Sequence, residues 1–173
     1  RTIMAESIDR LATGGCDFFA CPDNTAHIAL ETDGPELALP GLDIADVVAE
    51  QASALGMKRV AVLGTRFTMA GPVYRRALPA VSIEPRFPND EERADIDRII
   101  FDELVEGVFS EPSRRRYVAI IDRMKCEEGC DGVALVCTEI PLLVTADVSP
   151  LRILDSTRLL ARAAFEVCVG KRA

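Results

Sequence analysis

Residues 129–139 read Gly129-Cys130-Asp131-Gly132-Val133-Ala134-Leu135-Val136-Cys137-Thr138-Glu139, and residues 15–25 read Gly15-Cys16-Asp17-Phe18-Phe19-Ala20-Cys21-Pro22-Asp23-Asn24-Thr25. In both copies a Gly-Cys-Asp turn leads into a short apolar run, a pattern typical of a buried β-strand. Each run ends in a side chain that can transfer a proton, Asp23 in the first copy and Cys137 in the second. The repeat predicts a duplicated unit with one acid/base group in each half.

The rest of the chain alternates between apolar runs and amphipathic helical patterns. Strands are predicted at 18–21, 58–63, 81–85, 133–136 and 152–154, with helices between them. This alternation favours parallel sheets with right-handed crossovers, in which ligands bind at the carboxyl ends of the strands. Asn24 and Thr25 are expected to cap a helix at such an end, and His27 in that helix is interpreted as a structural histidine.

Two polar, turn-rich segments divide the chain. The loop at 32–42 and the stretch at 145–150 are predicted crossovers between lobes. The predicted fold is α/β, with two similar lobes related by a pseudo-twofold, each a parallel sheet flanked by helices, and the active site between them. Residues 1–40 and 147–173 are assigned to an incomplete first lobe, and residues 41–146 to the second.

The amino-acid composition and net charge argue against some classes of binding partner. The chain has 173 residues, 49% hydrophobic residues, a net charge of −8 and a pI near 4.8. Nucleic-acid and anionic-membrane surfaces need clustered positive charge, so neither partner is expected. No apolar run approaches the roughly 18 residues of a membrane span, and we expect a cytoplasmic protein.

The cysteines do not have the spacing of a metal site. Six cysteines accompany a single histidine, His27, so zinc would lack ligands and no metal is expected. Cys16, Cys130 and Cys168 are interpreted as small buried hydrophobic residues.

Two acid/base groups on opposite sides of a substrate suit the removal of a proton from one face of a carbon and its return to the other face. Backbone N–H groups at the turns favour a carboxylate ligand. Thr65 and Thr68 are either ligand donors or helix-capping residues, and Glu139 binds either a substrate amine or backbone N–H groups. The plainer alternatives are that Asp23 is a turn or capping residue and that Cys137 is buried packing.

The sequence resembles the aspartate/glutamate racemase family of cofactor-independent amino-acid racemases. The matching stretches are Asp23-Asn24-Thr25-Ala26-His27, Val62-Leu63-Gly64-Thr65-Arg66-Phe67-Thr68-Met69, Phe101-Asp102-Glu103-Leu104 and Cys137-Thr138-Glu139-Ile140-Pro141-Leu142-Leu143. The resemblance implies two lobes that clasp the substrate, two opposed cysteines, no pyridoxal phosphate or other cofactor, and a homodimer. It implies that Cys137 is the second-lobe cysteine, that Asn24 and Thr25 bind the substrate carboxylate, and that Thr138 is a partner of Cys137.

The chain departs from the family pattern in three places. Asp23 stands where the first-lobe cysteine is usual, and Cys21 lies two residues earlier. Val108 stands where a lysine often serves the distal carboxylate of the substrate. The family pattern also includes about sixty further residues before Arg1, with a strand and a glycine-rich loop.

The sequence therefore predicts a racemase or epimerase of an aspartate- or glutamate-like amino acid that acts by two-base proton transfer through Cys137 and Asp23. Burial is expected to raise the pKa of Asp23, and a helix N-terminus is expected to favour the Cys137 thiolate. One alternative is a one-cysteine decarboxylase or isomerase of a related carboxylic acid. Another is a carboxylate-binding module without catalysis.

Overall fold

The computed structural model describes residues 1–172. In chain order the elements are α1 (Thr2–Thr13), β1 (Phe19–Ala20), α2 (Ala26–Glu31), β2 (Gly41–Leu42), α3 (Ile44–Ala54), β3 (Arg59–Gly64), α4 (Arg66–Ala70), α5 (Val73–Ala80), β4 (Glu84–Arg86), α6 (Asp90–Asp102), a 3-10 turn (Leu104–Glu106), α7 (Glu111–Glu128), β5 (Gly132–Val136), α8 (Ile140–Leu143), β6 (Arg152–Asp155) and α9 (Ser156–Cys168). The predicted alternation of strands and helices is confirmed.

The strands form two parallel sheets. The larger sheet has the order β4-β3-β5-β6, and the smaller one pairs β1 with β2. Because β3 and β5 are neighbours with α4 to α7 between them in sequence, their connection crosses over the sheet, as parallel pairing requires. The predicted α/β class with parallel sheets flanked by helices is confirmed.

Helices cover both faces of the larger sheet. Strand β3 sends Val60 and Val62 into a core with α3 and α5, and Ala61 and Leu63 into a second core with α6 and α7. Strand β5 alternates in the same way. A strand buried on both faces is apolar at every position, which explains the unbroken run in residues 132–136.

The register of β3 and β5 brings two polar turns together. Gly64 is the partner of Val136 in the ladder, so Thr65 and Cys137 leave the sheet side by side at its carboxyl edge. A Cβ atom on Gly64 would lie 2.6 Å from the Val136 side chain and 2.8 Å from its carbonyl oxygen. Glycine is thus required for this close approach.

The repeated Gly-Cys-Asp turns share a backbone form but not a burial pattern. Gly15 and Gly129 both have positive φ angles, 82° and 66°, and each follows a helix. Cys130 is buried as expected, whereas Cys16 and Cys168 are exposed, so that prediction is wrong for these two residues. Both of them lie near helix ends at the surface, where nothing packs over them.

The division into lobes stays a prediction. Strand β6 pairs with β5 in the larger sheet, and α9 packs on α3. Strand β2 at 41–42 pairs with β1 in the smaller sheet. Within residues 1–172, no helix is both long and apolar enough to cross a membrane.

Candidate active site

A cavity of about 350 Å³ lies at the carboxyl edge of the larger sheet, where the three polar turns meet. The predicted site residues that line it are Asp23, Asn24, Thr25, Thr65, Cys137, Thr138 and Glu139. Thr68 does not line the cavity but is buried behind it. The two acid/base candidates of the sequence repeat thus share one cavity.

Asp23 is exposed, and its carboxylate is engaged with the start of α2. Oδ1 accepts hydrogen bonds from the backbone N–H groups of Thr25 at 2.8 Å and Ala26 at 3.0 Å. The burial that was expected around Asp23 is absent, since Pro22 and Asp23 both face solvent. Asp23, rather than Asn24 or Thr25, supplies the side-chain cap of α2.

Asn24 is buried, and its amide is held by protein groups. The Tyr74 hydroxyl donates to Asn24 Oδ1 at 2.5 Å, and Asn24 Nδ2 donates to Ser156 Oγ at 3.1 Å. Ser156 in turn donates to the Leu135 carbonyl oxygen at 3.0 Å. This network ties the first turn to the larger sheet through three elements that are distant in sequence.

Three threonine hydroxyls form a triangle beside the cavity. Thr25 Oγ1 lies 2.9 Å from Thr68 Oγ1 and 3.4 Å from Thr65 Oγ1, and the Thr65 and Thr68 hydroxyls are 3.2 Å apart. Thr65 also caps α4 by accepting the Thr68 backbone N–H at 3.3 Å. Thr65 thus caps a helix and lines the cavity, and its role as a ligand donor stays a prediction.

The surroundings of Cys137 favour its thiol form. Its Sγ donates to Glu139 Oε2 at 3.0 Å. Burial raises the pKa of Cys137 and the Glu139 carboxylate raises it further, to about 12, against the opposing effect of backbone N–H groups at 139 and 140. The expected shift toward thiolate is wrong because α8 is a helix of only four residues, too short to outweigh burial and an adjacent negative charge.

Glu139 is the ionised partner of this pair. Burial raises the pKa of Glu139, but hydrogen bonds from Cys137 and Thr138 outweigh burial and hold its pKa below the usual range. The resting arrangement is a Cys137 thiol that donates to a Glu139 carboxylate.

Cys21 and His27 belong to the support of the first turn. Cys21 does not line the cavity, and its carbonyl oxygen accepts from His27 Nε2 at 3.1 Å. His27 is buried, and its Nδ1 lies 3.5 Å from Asp43 Oδ2. His27 thus joins the strand end that carries Cys21 to the first turn of α3, as expected of a structural histidine.

The sequence reasoning missed the apolar lining of the cavity, which consists of Phe67, Ile100, Phe101, Val105 and Val136. The sequence did indicate an accessible Phe101, because Phe101 follows Ile100 and so lies outside the buried apolar face of α6. Val108, at the position where the family resemblance implied a lysine, is exposed and does not line the cavity. Across residues 1–172, no cluster of three or more His, Cys, Asp or Glu side chains is arranged to hold a metal ion.

A family model and a curated relative that match this chain are both described as racemases. A model of the Asp/Glu/Hydantoin racemase family matches residues 1–164. The broad specificity amino-acid racemase RacX of Bacillus subtilis is 25% identical over 157 residues, which are 89% of this chain and 66% of RacX, so the chain spans slightly less than two thirds of that relative.

Solved structures resemble the chain over nearly its whole length. An aspartate racemase homologue from Pyrococcus horikoshii is 31% identical with a TM-score of 0.87, over 97% of this chain and 74% of that one. Picrophilus torridus aspartate racemase is 24% identical with a TM-score of 0.74, over 99% of this chain and 70% of that one, a likeness of fold.

Proposed function

Because this chain belongs to the Asp/Glu/Hydantoin racemase family, we propose that it acts as a cofactor-independent racemase or epimerase of an amino acid. The observation that carries the proposal is the shared cavity, which is lined by Asp23 from one copy of the repeat and by Cys137 from the other. Two such groups around one α-carbon allow a proton to leave one face and another to arrive at the opposite face. A positioned acid or base typically contributes a factor of about 10² to 10⁴ in rate.

The resting hydrogen bonds support an assignment of roles. Asp23 only accepts hydrogen bonds and Cys137 donates one, so Asp23 is the resting base and Cys137 the resting acid. Asp23 takes the Cα proton from one enantiomer, and Cys137 delivers its thiol proton to the other face. The site then holds a protonated Asp23 and a Cys137 thiolate, which together are set up for the reverse reaction.

The polar groups around the cavity are assigned to the substrate's α-carboxylate and α-amine. The Thr25 and Thr65 hydroxyls lie at the cavity wall, and Thr68 holds them in place from behind. We assign these hydroxyls, with the Asn24 and Thr138 positions, to the α-carboxylate, and the Glu139 carboxylate to the ammonium group. An ionised Glu139 suits a cationic partner.

Solvent deuterium incorporation at Cα, measured by NMR over a panel of L- and D-amino acids with the intact protein, tests the proposal. Exchange with both enantiomers of at least one amino acid is expected. Absence of exchange with every member of the panel would overturn the racemase function. Binding of amino acids without exchange, unchanged in Cys137→Ser, would instead indicate a binding module.

The variant Asp23→Asn separates two-base from one-base chemistry. Asparagine keeps an Oδ1 acceptor for the Thr25 and Ala26 N–H groups but has no basic carboxylate, so the turn should persist while exchange is lost. Cys21→Ser is the matched control and should retain exchange, because Cys21 does not line the cavity. Loss of exchange in Cys21→Ser with full activity in Asp23→Asn would reverse the assignment.

A second function is favoured by one observation. A neutral Cys137 thiol beside a carboxylate is suited to protonating an enolate, and Asp23 already serves as a cap. A decarboxylase or isomerase of a related carboxylic acid would need only Cys137. Release of carbon dioxide from a malonate-type substrate, retained in Asp23→Asn, would favour this function over racemisation.

The expected assembly of the protein into a homodimer stays a prediction.

A further inference from the structure

We propose that the amino acid bound at this site carries an uncharged, mainly apolar side chain instead of a second carboxylate. The inference rests on the proposed function and concerns the substrate class of the same cavity. Its starting point is the charge of the lining. Asp23 and Glu139 are the charged groups there, and no lysine or arginine from residues 1–172 lines the cavity.

Three apolar residues of the lining are accessible. Phe67, Phe101 and Val105 are 51%, 46% and 49% exposed. They come from α4, the end of α6 and the 3-10 turn, whereas the polar lining comes from the strand-to-helix turns. A substrate whose α-carboxylate and ammonium contact the polar turns would thus have apolar surface available for its side chain.

Two guanidinium groups on the elements beside the cavity have partners outside its lining. Arg66 lies against the Phe67 ring at 4.9 Å from the centroid, and its Nε is 3.5 Å from Asp97. Arg98 pairs with Glu103 at 3.4 Å. Both arginines line a neighbouring surface cavity, which shares Phe101 with this one.

A second carboxylate on the substrate would have no cation to meet in the lining that this chain provides. It would lose water and face the negative charges of Asp23 and Glu139, an arrangement that disfavours binding. The ammonium group, by contrast, would balance one of these charges. An apolar side chain adds no charge and buries apolar surface on Phe67, Phe101 and Val105.

Competition between substrates tests the inference. We expect kcat/KM for α-hydrogen exchange to be at least tenfold higher for leucine, methionine or phenylalanine than for aspartate and glutamate. Equal or higher values for aspartate or glutamate would overturn it. The same order is expected for binding to Cys137→Ser, measured by isothermal titration calorimetry.

This pair of measurements separates the two proposals. Exchange that prefers aspartate supports the racemase function and overturns the apolar class. A protein that exchanges no amino acid overturns the racemase function, and the binding order in Cys137→Ser then decides the ligand class by itself. Absence of binding by leucine, methionine and phenylalanine would overturn the class as well.

Two variants probe the apolar lining directly. Phe101→Ala should lower kcat/KM for leucine about tenfold and leave alanine nearly unchanged, since the lost surface contacts only a long side chain. Phe165→Ala is the matched control, because Phe165 is 63% exposed on α9 and outside the cavity. Val105→Lys should shift the preference toward aspartate. An equal loss for leucine and alanine in Phe101→Ala, or no shift in Val105→Lys, would contradict the assignment.

Discussion

The turn at 23–25 and the turn at 137–139 start from the same sequence frame and end in different surroundings. Asp23 is exposed and accepts hydrogen bonds from the N–H groups at the start of its own helix. Cys137 is half-buried, neutral and bonded to a carboxylate. A repeated backbone unit therefore does not imply repeated chemistry, because burial and the neighbouring side chain decide which group holds the proton.

Both turns depend on support from elsewhere in the chain. The first is held by Tyr74 and Ser156 through Asn24, and by His27 through the Cys21 carbonyl. The second follows directly from a fully buried strand that pairs with β3 on one side and β6 on the other. The first turn is attached by side-chain hydrogen bonds, and the second by sheet pairing, which involves the backbone alone.

Among the variants that distinguish the two turns, Cys137→Ser should have the largest effect, a loss of exchange at Cα. If Cys137 delivers a proton, exchange at Cα should fall by about 10² to 10⁴. Cys126→Ser is the control, because Cys126 is an exposed cysteine outside the cavity, and exchange should be unchanged. The measurement is the initial rate of deuterium incorporation. Near-normal exchange in Cys137→Ser would show that the second turn takes no part in the proton transfer.

His27→Gln should destabilise the first turn in a pH-dependent manner. Burial lowers the pKa of His27, but its bonds to Asp43 and the Cys21 carbonyl outweigh burial, so the net pKa is raised above 6.5. A raised pKa means that the imidazolium stabilises the fold fully below pH 6.5 and that this contribution is lost as the pH rises through the folded-state pKa.

The expected loss of unfolding free energy in His27→Gln is about 1 to 3 kcal/mol at low pH and smaller at high pH. Glutamine keeps a neutral donor for the Cys21 carbonyl, so the variant removes mainly the charge. Urea unfolding at about pH 6 and about pH 9 brackets the window. A difference between wild type and variant that is constant with pH would contradict the role of the imidazolium.

Glu139→Gln should bring the pKa of Cys137 in the second turn closer to that of an ordinary cysteine. Removal of the carboxylate removes a cause of the raised Cys137 pKa, which should fall by about one unit, or about 1.4 kcal/mol. The alkylation rate of Cys137 by iodoacetamide at about pH 9 should then rise about tenfold. Subtraction of the rate in Cys137→Ser isolates this thiol. An unchanged rate would mean that burial alone sets the pKa.

The smallest expected effect is that of Asp23→Ala on the free energy of unfolding. Loss of the acceptor for the Thr25 and Ala26 N–H groups should lower the unfolding free energy by about 0.5 to 2 kcal/mol. Asp23→Asn is the matched control and should retain most of the stability while it loses exchange. Equal stability of the two variants in urea unfolding would show that the cap is unimportant.

Apart from β2 at Gly41–Leu42, which lies in the loop predicted at 32–42, the strands and their parallel pairing were predictable from the sequence. Residues 132–136 and 60–64 are apolar throughout, and only strands covered on both faces tolerate that composition. Asp23 and Cys137 each follow a predicted strand, which placed each of them beyond the carboxyl end of its own strand. Local periodicity is sufficient for inferences of this kind because it depends on neighbours within a few residues.

The protonation states and the apolar lining were decided by tertiary structure. The pKa of Cys137 depends on how deeply its turn is buried and on where the Glu139 carboxylate points, and neither follows from spacing. Phe67, Phe101 and Val105 are separated along the chain and meet at one cavity only after α4, α6 and the 3-10 turn have packed. The sequence by itself determined which elements form and which residues end them, since these follow from local patterns; burial, charge and shape at the site arise from contacts between distant segments and exist only in the folded chain.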